Sequence, residues 1–165
     1  MTGQGSSSEI SAVYFGRQSA KHDFRTFQKH EAPHSNSNLL FKGAVDDESR
    51  AIYTGLIRIE PAAGDVNAFQ TNRTLKLSEK AWAESVPNLE IENNDVKCSH
   101  ASAVGPIDEE LKFYIESRGV PADIAEVLVV KGFFADVLKG LPSSMVSDAI
   151  DLRIEQLLAL DMGRS

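Results

Sequence analysis

The sequence has one cysteine, no long apolar run and no excess of positive charge. Because Cys98 is the only cysteine, an internal disulfide is excluded, and the composition fits a reducing compartment. No apolar stretch approaches the roughly 20 residues that a membrane-spanning helix needs. The polar start, residues 1–8, does not resemble a signal peptide. We therefore expect a cytoplasmic protein without membrane insertion.

Three further absences narrow the function. The net charge of −7 at pH 7 argues against a broad surface for nucleic acid or anionic lipid, because both need clustered basic residues. No segment matches GxxxxGK[ST], so any ATP chemistry belongs to a partner. Only 7% of the residues are aromatic and Trp82 is the single tryptophan, which is little for a sugar-binding platform.

The composition is that of an ordinary globular protein, with 42% hydrophobic and 25% charged residues. Up to Ala103, short apolar segments are separated by Gly, Pro, Asn and Asp, which is typical of an all-β fold. The candidate strands are Ser11–Phe15, Phe24–Gln28, Asn38–Phe41, Arg50–Tyr53, Leu56–Glu60, Val66–Gln70, Thr74–Leu77, Leu89–Ile91 and Asp95–His100.

Two short segments resemble each other, since Leu40–Gly43 and Ile52–Gly55 both run apolar, aromatic, polar, glycine. Their glycines are twelve positions apart, which fits the stacked coils of a solenoid, where each coil buries its face against its neighbours. The same spacing fits a β-sandwich about as well.

The hydrophobic period changes after Pro106, and three helices are predicted. The residues that set their ends are Asp108, Gly119, Pro121, Gly140 and Ser144. We expect close packing at Gly132 in the second helix, because glycine in a helix costs roughly 1 kcal/mol against alanine. The predicted domains are a β body over residues 1–103 and a helical domain over residues 104–165.

The most informative stretch for chemistry is Asp95–Ser102, which holds Cys98 and His100. In an extended strand, residues i and i+2 point to the same face, so the thiol and the imidazole would lie side by side. These two ligand types suit iron, zinc and iron–sulfur chemistry. Two ligands cannot fill a coordination sphere, so a metal site here requires a second chain. Alternatively, Cys98 is a small buried hydrophobic residue, as free cysteines usually are.

Several segments together resemble the SufB/SufD family of iron–sulfur cluster assembly proteins. The matching segments are Leu56–Pro61, Gln70–Arg73, Pro87–Ile91, Asp95–His100, Phe113–Gly119 and Gly132–Phe134, with His30–Pro33 and Phe41–Gly43 earlier in the chain. The SufD branch is preferred over SufB, because SufB-type sequences carry an acidic residue on each side of the histidine that corresponds to His100. The chain departs from the family at Ala101, where glycine is usual, and it is much shorter than a typical SufD. A C-terminal fragment is therefore expected, and a short natural homologue is the alternative.

The resemblance implies a right-handed parallel β-helix followed by a small C-terminal helical domain. It also implies a scaffold subunit rather than an enzyme, paired with SufB, or with a second copy of itself, through the β-helix. Cys98 and His100 would share a transient iron–sulfur cluster with SufB at that interface, with no permanently bound cofactor. The ATPase SufC would bind the C-terminal helices, and the apolar candidates for that contact are Phe133, Phe134, Val146, Ile150 and Ile154.

Other interpretations stay open at this point. In one, the chain is a purely structural dimerisation and docking module, and SufB carries all the cluster chemistry. In another, Glu90 and Glu92 are the acids of a β-helix carbohydrate enzyme, although Leu89 and Ile91 alternate with them as the buried face of a strand would. His22, His30 and His34 are spaced by eight and four residues, but Pro33 interrupts the stretch, so they match no helical HxxxH metal pattern. We expect them at surface or turn positions.

Overall fold

A computed structural model describes residues 1–141 and 143–159 of the chain. In these residues, seven strands are followed by three helices: β1 (Ser7–Gly16), β2 (Lys21–His30), β3 (Asn36–Val45), β4 (Arg50–Ile59), β5 (Val66–Lys76), β6 (Trp82–Ile91), β7 (Val96–Pro106), α1 (Glu109–Glu116), α2 (Ala122–Lys139) and α3 (Ser144–Ala159). The chain divides into two compact units, Met1–Gly105 and Pro106–Ser165. The predicted boundary after Ala103 lies two residues before this division.

The strands form two sheets, ordered β1-β3-β5-β7 and β2-β4-β6, and β1 to β6 pair in parallel. Because consecutive strands alternate between the sheets, the chain winds into a parallel β-solenoid of roughly three coils. Tyr14 lies beside Gly43, 29 residues on, and Gly43 lies beside Thr74, 31 residues on. The prediction of a parallel β-helix followed by helices is confirmed.

The glycine repeat in the sequence is not the coil repeat. Gly43 lies in β3 and Gly55 in β4, so the two glycines are on different sheets of one coil. Each makes room for a large side chain of a neighbouring coil. A Cβ on Gly43 would stand 2.0 Å from the Tyr14 ring, and one on Gly55 would stand 2.3 Å from the Gln70 amide nitrogen. The glycines are therefore dictated by packing between coils, which the spacing of twelve does not describe.

The strands are fewer and longer than the sequence predicted. Arg50–Tyr53 and Leu56–Glu60 merge into β4, and Val66–Gln70 and Thr74–Leu77 merge into β5. At the positions where the sequence predicted breaks, β4 and β5 pair with strands of neighbouring coils. These hydrogen bonds keep the backbone extended through both positions. The first part of β6, also missed, contains Pro87, which a strand tolerates at the edge of a sheet.

Two apolar clusters fill the interior of the solenoid. The first, called the aromatic cluster below, holds three aromatic rings and contains Tyr14, Leu39, Phe41, Val45, Ala51, Tyr53 and Ala81. The second is aliphatic and contains Ile57, Ile59, Ala63, Val66 and Ala68, with Val96 and Cys98 packed against it. Other buried side chains are polar or charged, namely Gln28, His30, Ser35, Ser37, Lys42, Ser49, Gln70, Asn72 and Thr74. The solenoid therefore has an interior that depends on hydrogen bonds as well as on apolar packing.

The buried side chain of His30 illustrates how polar groups of the interior are hydrogen-bonded. Its side chain is 0% exposed, with Nδ1 2.7 Å from Ser35 Oγ and Nε2 2.8 Å from Ser37 Oγ. The Ser35 hydroxyl donates to the Ala32 carbonyl, so it must accept the proton of Nδ1, and Ser37 then donates to Nε2. The contacts thus hold a neutral ring with its proton on Nδ1. Burial lowers the pKa of His30 below its usual value of 6.5, which agrees with this state.

The helices begin and end where the sequence predicted. The Asp108 carboxylate accepts a hydrogen bond from the backbone nitrogen of Leu111 at 3.0 Å, which confirms the N-cap of α1. Gly119 follows α1 with φ of +88°, a conformation that favours glycine. The prediction of close packing at Gly132 was wrong, because a Cβ there would meet no atom within 4 Å. Gly132 instead lines a groove of about 450 Å³ between α2 and α3.

Candidate partner interface and cluster site

Cys98 and His100 lie on β7, the last strand of the four-stranded sheet. Cys98 is partly buried and packs against the aliphatic cluster, so its side chain faces inward. His100 is exposed and lies two residues further along the same strand. Because side chains two apart in a strand share a face, the thiol and the imidazole belong to the same side of β7. The β structure of this segment is what brings the two ligand types together.

The inner face of the solenoid is closed at β4 and open at β6 and β7. Ile57 and Ile59 on β4 are 0% exposed, whereas the residues paired with them on β6, Leu89 and Ile91, are 37% and 42% exposed. Val104 on β7 is 38% exposed. Because β6 and β7 end their sheets, their free edges have no neighbouring strand among the described residues. Exposed apolar side chains beside unpaired strand edges suit the docking of another protein.

The Cys98 thiol is held in its neutral form. Burial raises its pKa above the usual value of 9.0. Because desolvation penalises the thiolate, the isolated chain presents a weak nucleophile at neutral pH. A bound metal cation would reverse this preference, since a coordinating thiol gives up its proton.

No three His, Cys, Asp or Glu side chains within residues 1–141 and 143–159 are placed to hold a metal ion. Among these residues, a cluster at this end would therefore find two ligands, Cys98 and His100. A cluster bound at this end needs its remaining ligands from elsewhere.

The other histidines have different surroundings from one another. His34 lies in a turn with φ of 59°, and its Nδ1 is 2.7 Å from Asp65 Oδ2, so the turn prediction is confirmed for it. The prediction was wrong for His30, which is buried. His22 stacks on Phe24 with ring centroids 5.6 Å apart, at the edge of the aromatic cluster. A signal for burial of His30 existed in the sequence, because Ser35 and Ser37 follow it closely and can satisfy both ring nitrogens.

Glu90 and Glu92 belong to a group of surface ion pairs. Arg58 Nη1 lies 3.6 Å from Glu90 and Arg58 Nη2 lies 3.2 Å from Glu92. Arg58 Nε also lies 3.0 Å from Glu60, and Lys29 Nζ lies 3.2 Å from the same carboxylate. Two acids that share one arginine on an exposed face favour the solvated-face interpretation over a pair of glycan-cleaving acids.

The apolar helix residues predicted to dock a partner are divided between core and surface. Phe134 and Ile154 are 0% and 3% exposed, which places them in the core of the helical unit. Phe133 and Ile150 are partly buried, and Val146 is 48% exposed. The large apolar side chains that the described helices leave exposed are Leu111, Phe113, Tyr114, Ile124, Leu128, Met145, Val146 and Leu152. Docking through the helices stays a prediction, and Val146 is the predicted residue with the most accessible side chain.

Sequence reasoning missed that Gln70 is buried. Gln70 lies on the inner face of β5, the strand next to β7, and is 2% exposed. A signal was available, because Gln70, Asn72 and Thr74 alternate in a segment with strand character, and a polar inner face is unusual in a strand.

A parallel β-solenoid with an open end that carries a thiol and an imidazole, followed by a three-helix unit, defines the structural class. No helix of the described residues is long and apolar enough to cross a membrane. Residues 1–133 match the family model described as SUF system FeS cluster assembly, SufBD core domain. The chain therefore belongs to the SufBD family of SUF-system iron–sulfur cluster assembly proteins.

Relatives from three bacteria illustrate the similarity. An iron-sulfur cluster assembly SufBD family protein of Mycobacterium leprae is 33% identical over 172 residues, covering 99% of this chain and 44% of the relative. The iron-sulfur cluster assembly protein SufD of Bacillus subtilis is 36% identical, covering 93% of this chain and 35% of the relative. SufD of Escherichia coli is 32% identical, covering 96% and 37%. The chain thus spans less than half the length of these relatives.

Proposed function

We propose that this protein is a scaffold subunit of the SUF iron–sulfur cluster assembly complex, without catalytic turnover of its own. It pairs with SufB through the β6–β7 end of the solenoid and binds the ATPase SufC through its C-terminal helices. The observation that supports the pairing is the coincidence at one end of exposed apolar residues, free strand edges and the Cys98–His100 pair. The single thiol fits a cytoplasmic location.

In this proposal the cluster is cargo rather than a resident cofactor. His100 supplies a neutral imidazole, and Cys98 supplies a thiolate once iron displaces its proton. SufB contributes the remaining ligands, because the described part of this chain offers two at this end. ATP binding to SufC rearranges the SufB-containing pair and exposes the shared ligands to incoming iron and sulfur. Membership of the SufBD family supports this assignment.

Anaerobic reconstitution with iron, sulfide and the cognate SufB and SufC tests the role of His100. We expect His100→Ala to lose the visible absorbance of the cluster while size exclusion still shows the assembled complex. His34→Ala is the matched control, because His34 is an exposed histidine of the same solenoid, and we expect it to behave as wild type. An unchanged spectrum for His100→Ala would refute the ligand role.

A second candidate function is a purely structural docking module, with the cluster chemistry carried by SufB. The partial burial of Cys98 against the aliphatic cluster favours this alternative. It predicts that His100→Ala and Cys98→Ala lower the thermal stability of the chain and leave cluster assembly intact. Melting curves recorded on the variants used for reconstitution separate the two proposals.

A further inference from the structure

We propose that the partner docked on the β6–β7 end places a lysine or arginine side chain against Glu90 and Glu92. The two carboxylates share one arginine of their own chain, at an edge of β6 that no described strand covers. The inference deepens the proposed function and rests on it for the identity of the partner, SufB. It adds the chemistry that SufB presents at this edge.

Glu90 is the last member of a row of charged residues that crosses the outer side of its sheet. Lys29 on β2 pairs in register with Arg58 on β4, and Arg58 pairs with Glu90 on β6. Neighbouring strands lie about 4.8 Å apart, so side chains in one row interact directly. The row therefore runs base, base, acid, and the acid stands at the open edge.

Acids outnumber bases where this row ends. Arg58 Nη1 lies 3.6 Å from Glu90, and Arg58 Nη2 lies 3.2 Å from Glu92. Arg58 Nε lies 3.0 Å from Glu60, which Lys29 Nζ also approaches to 3.2 Å. One guanidinium thus serves three carboxylates, and Glu90 and Glu92 have no other ion pair among the described residues. A further cation at the edge would balance the excess of negative charge.

Both carboxylates are accessible beside the apolar residues of the docking edge. The side chains of Glu90 and Glu92 are 53% and 47% exposed. Leu89 and Ile91, which alternate with them, are 37% and 42% exposed. A strand added beside β6 would cover the two apolar residues and bring one of its own outward side chains into line with Glu90. Because docking removes water from this edge, it strengthens the attraction of the carboxylates for a cation and their repulsion of an anion.

A second copy of the chain does not supply this cation through β6. The strand contains two glutamates and no lysine or arginine. Two copies that meet through β6 would therefore bring like charges together, which is unfavourable at an interface. The charge pattern favours a different protein over self-pairing through this strand.

Calorimetric titration of the chain with its cognate SufB, at low and at high salt, tests the inference. We expect wild type to bind more weakly as the salt concentration rises, because salt screens ion pairs at the edge of an interface. Glu90→Gln combined with Glu92→Gln should weaken binding about tenfold at low salt and remove most of the salt dependence. Glu9→Gln combined with Asp23→Asn is the matched control, since it removes two carboxylates from the first coil, and it should bind as wild type does.

Two further measurements separate a binding role from a structural one. The melting temperature of the double glutamine variant alone should stay close to that of wild type, because exposed ion pairs contribute little to stability. Glu90→Lys combined with Glu92→Lys should bind SufB more weakly than the double glutamine variant, since it opposes like charges. A purely structural role predicts the reverse, a lower melting temperature with normal binding.

Equal affinity of wild type and the double glutamine variant for SufB overturns the inference, and so does a loss that the first-coil control shares. A wild-type chain that does not bind SufB at all refutes the proposed pairing, and the inference falls with it. Binding that persists without the two carboxylates leaves the pairing standing and refutes the charge contact alone.

Discussion

β4 and β6 carry apolar residues at the same inward positions, yet they differ in what covers them. Ile57 on β4 has a strand on each side and is buried, whereas Leu89, its neighbour on β6, lies at the end of the sheet and is exposed. The apolar pattern is similar in both strands, so the difference arises from the number of stacked neighbours. In a solenoid, the inward face of the terminal coil is the part of the core that another protein can still cover.

The two regions also differ in the surroundings of their histidines. In the closed part, both ring nitrogens of His30 have serine partners. At the open end, His100 is exposed and Cys98 is half-covered. Groups that are fully paired stabilise a fold, while groups left available can bind something else.

The largest expected effect compares Ile57→Ala with Leu89→Ala. We expect Ile57→Ala to lower the free energy of unfolding by about 2–5 kcal/mol, because it leaves a cavity in the buried core. Leu89→Ala should cost less than half as much, since its side chain is already partly in water. Urea denaturation followed by circular dichroism measures both. Equal losses would show that the β6–β7 end is covered in solution, for example by a second copy.

A smaller effect concerns the pH dependence of stability. Because the folded pKa of His30 is lowered, the unfolded chain binds a proton more readily than the folded chain. The stabilising contribution is therefore present above the unfolded value of about 6.5 and is lost as the pH falls below it. We expect His30→Gln to flatten the fall in unfolding free energy between about pH 7 and pH 5. A wild-type slope in the variant would assign the acid sensitivity to other groups.

The smallest expected effect is on the reactivity of Cys98. Because burial raises its pKa, the thiol should react with iodoacetamide more slowly near neutral pH than an unhindered cysteine peptide does, and the rate should rise with pH. The alkylation rate followed by mass spectrometry checks this. Leu89→Ala, which removes an apolar side chain from the same end, is expected to raise the alkylation rate. If wild-type Cys98 reacts as fast as the peptide, its side chain is not covered.

Local signals predicted much of this molecule. The change from β to helix near Pro106, the Asp108 cap and the shared face of Cys98 and His100 all follow from short-range patterns. The length of the strands does not follow from such patterns. In the sequence Gly55 resembles a strand break, whereas in the structure it makes room for the Gln70 side chain. Burial of Gln28 and Gln70 depends on residues in other coils, at sequence separations that periodicity does not detect.

The close approach at Gly43 fixes the order and alignment of the coils. The Tyr14 ring occupies the space where any other residue would place a Cβ, and its hydroxyl meets Thr74 two coils further along the same sheet. A slip of one residue between β1 and β3 would bring the ring against a side chain and turn the inward residues of one strand to the outside. Each coil thus packs correctly only against its own neighbour, so the coils cannot exchange places in the stack.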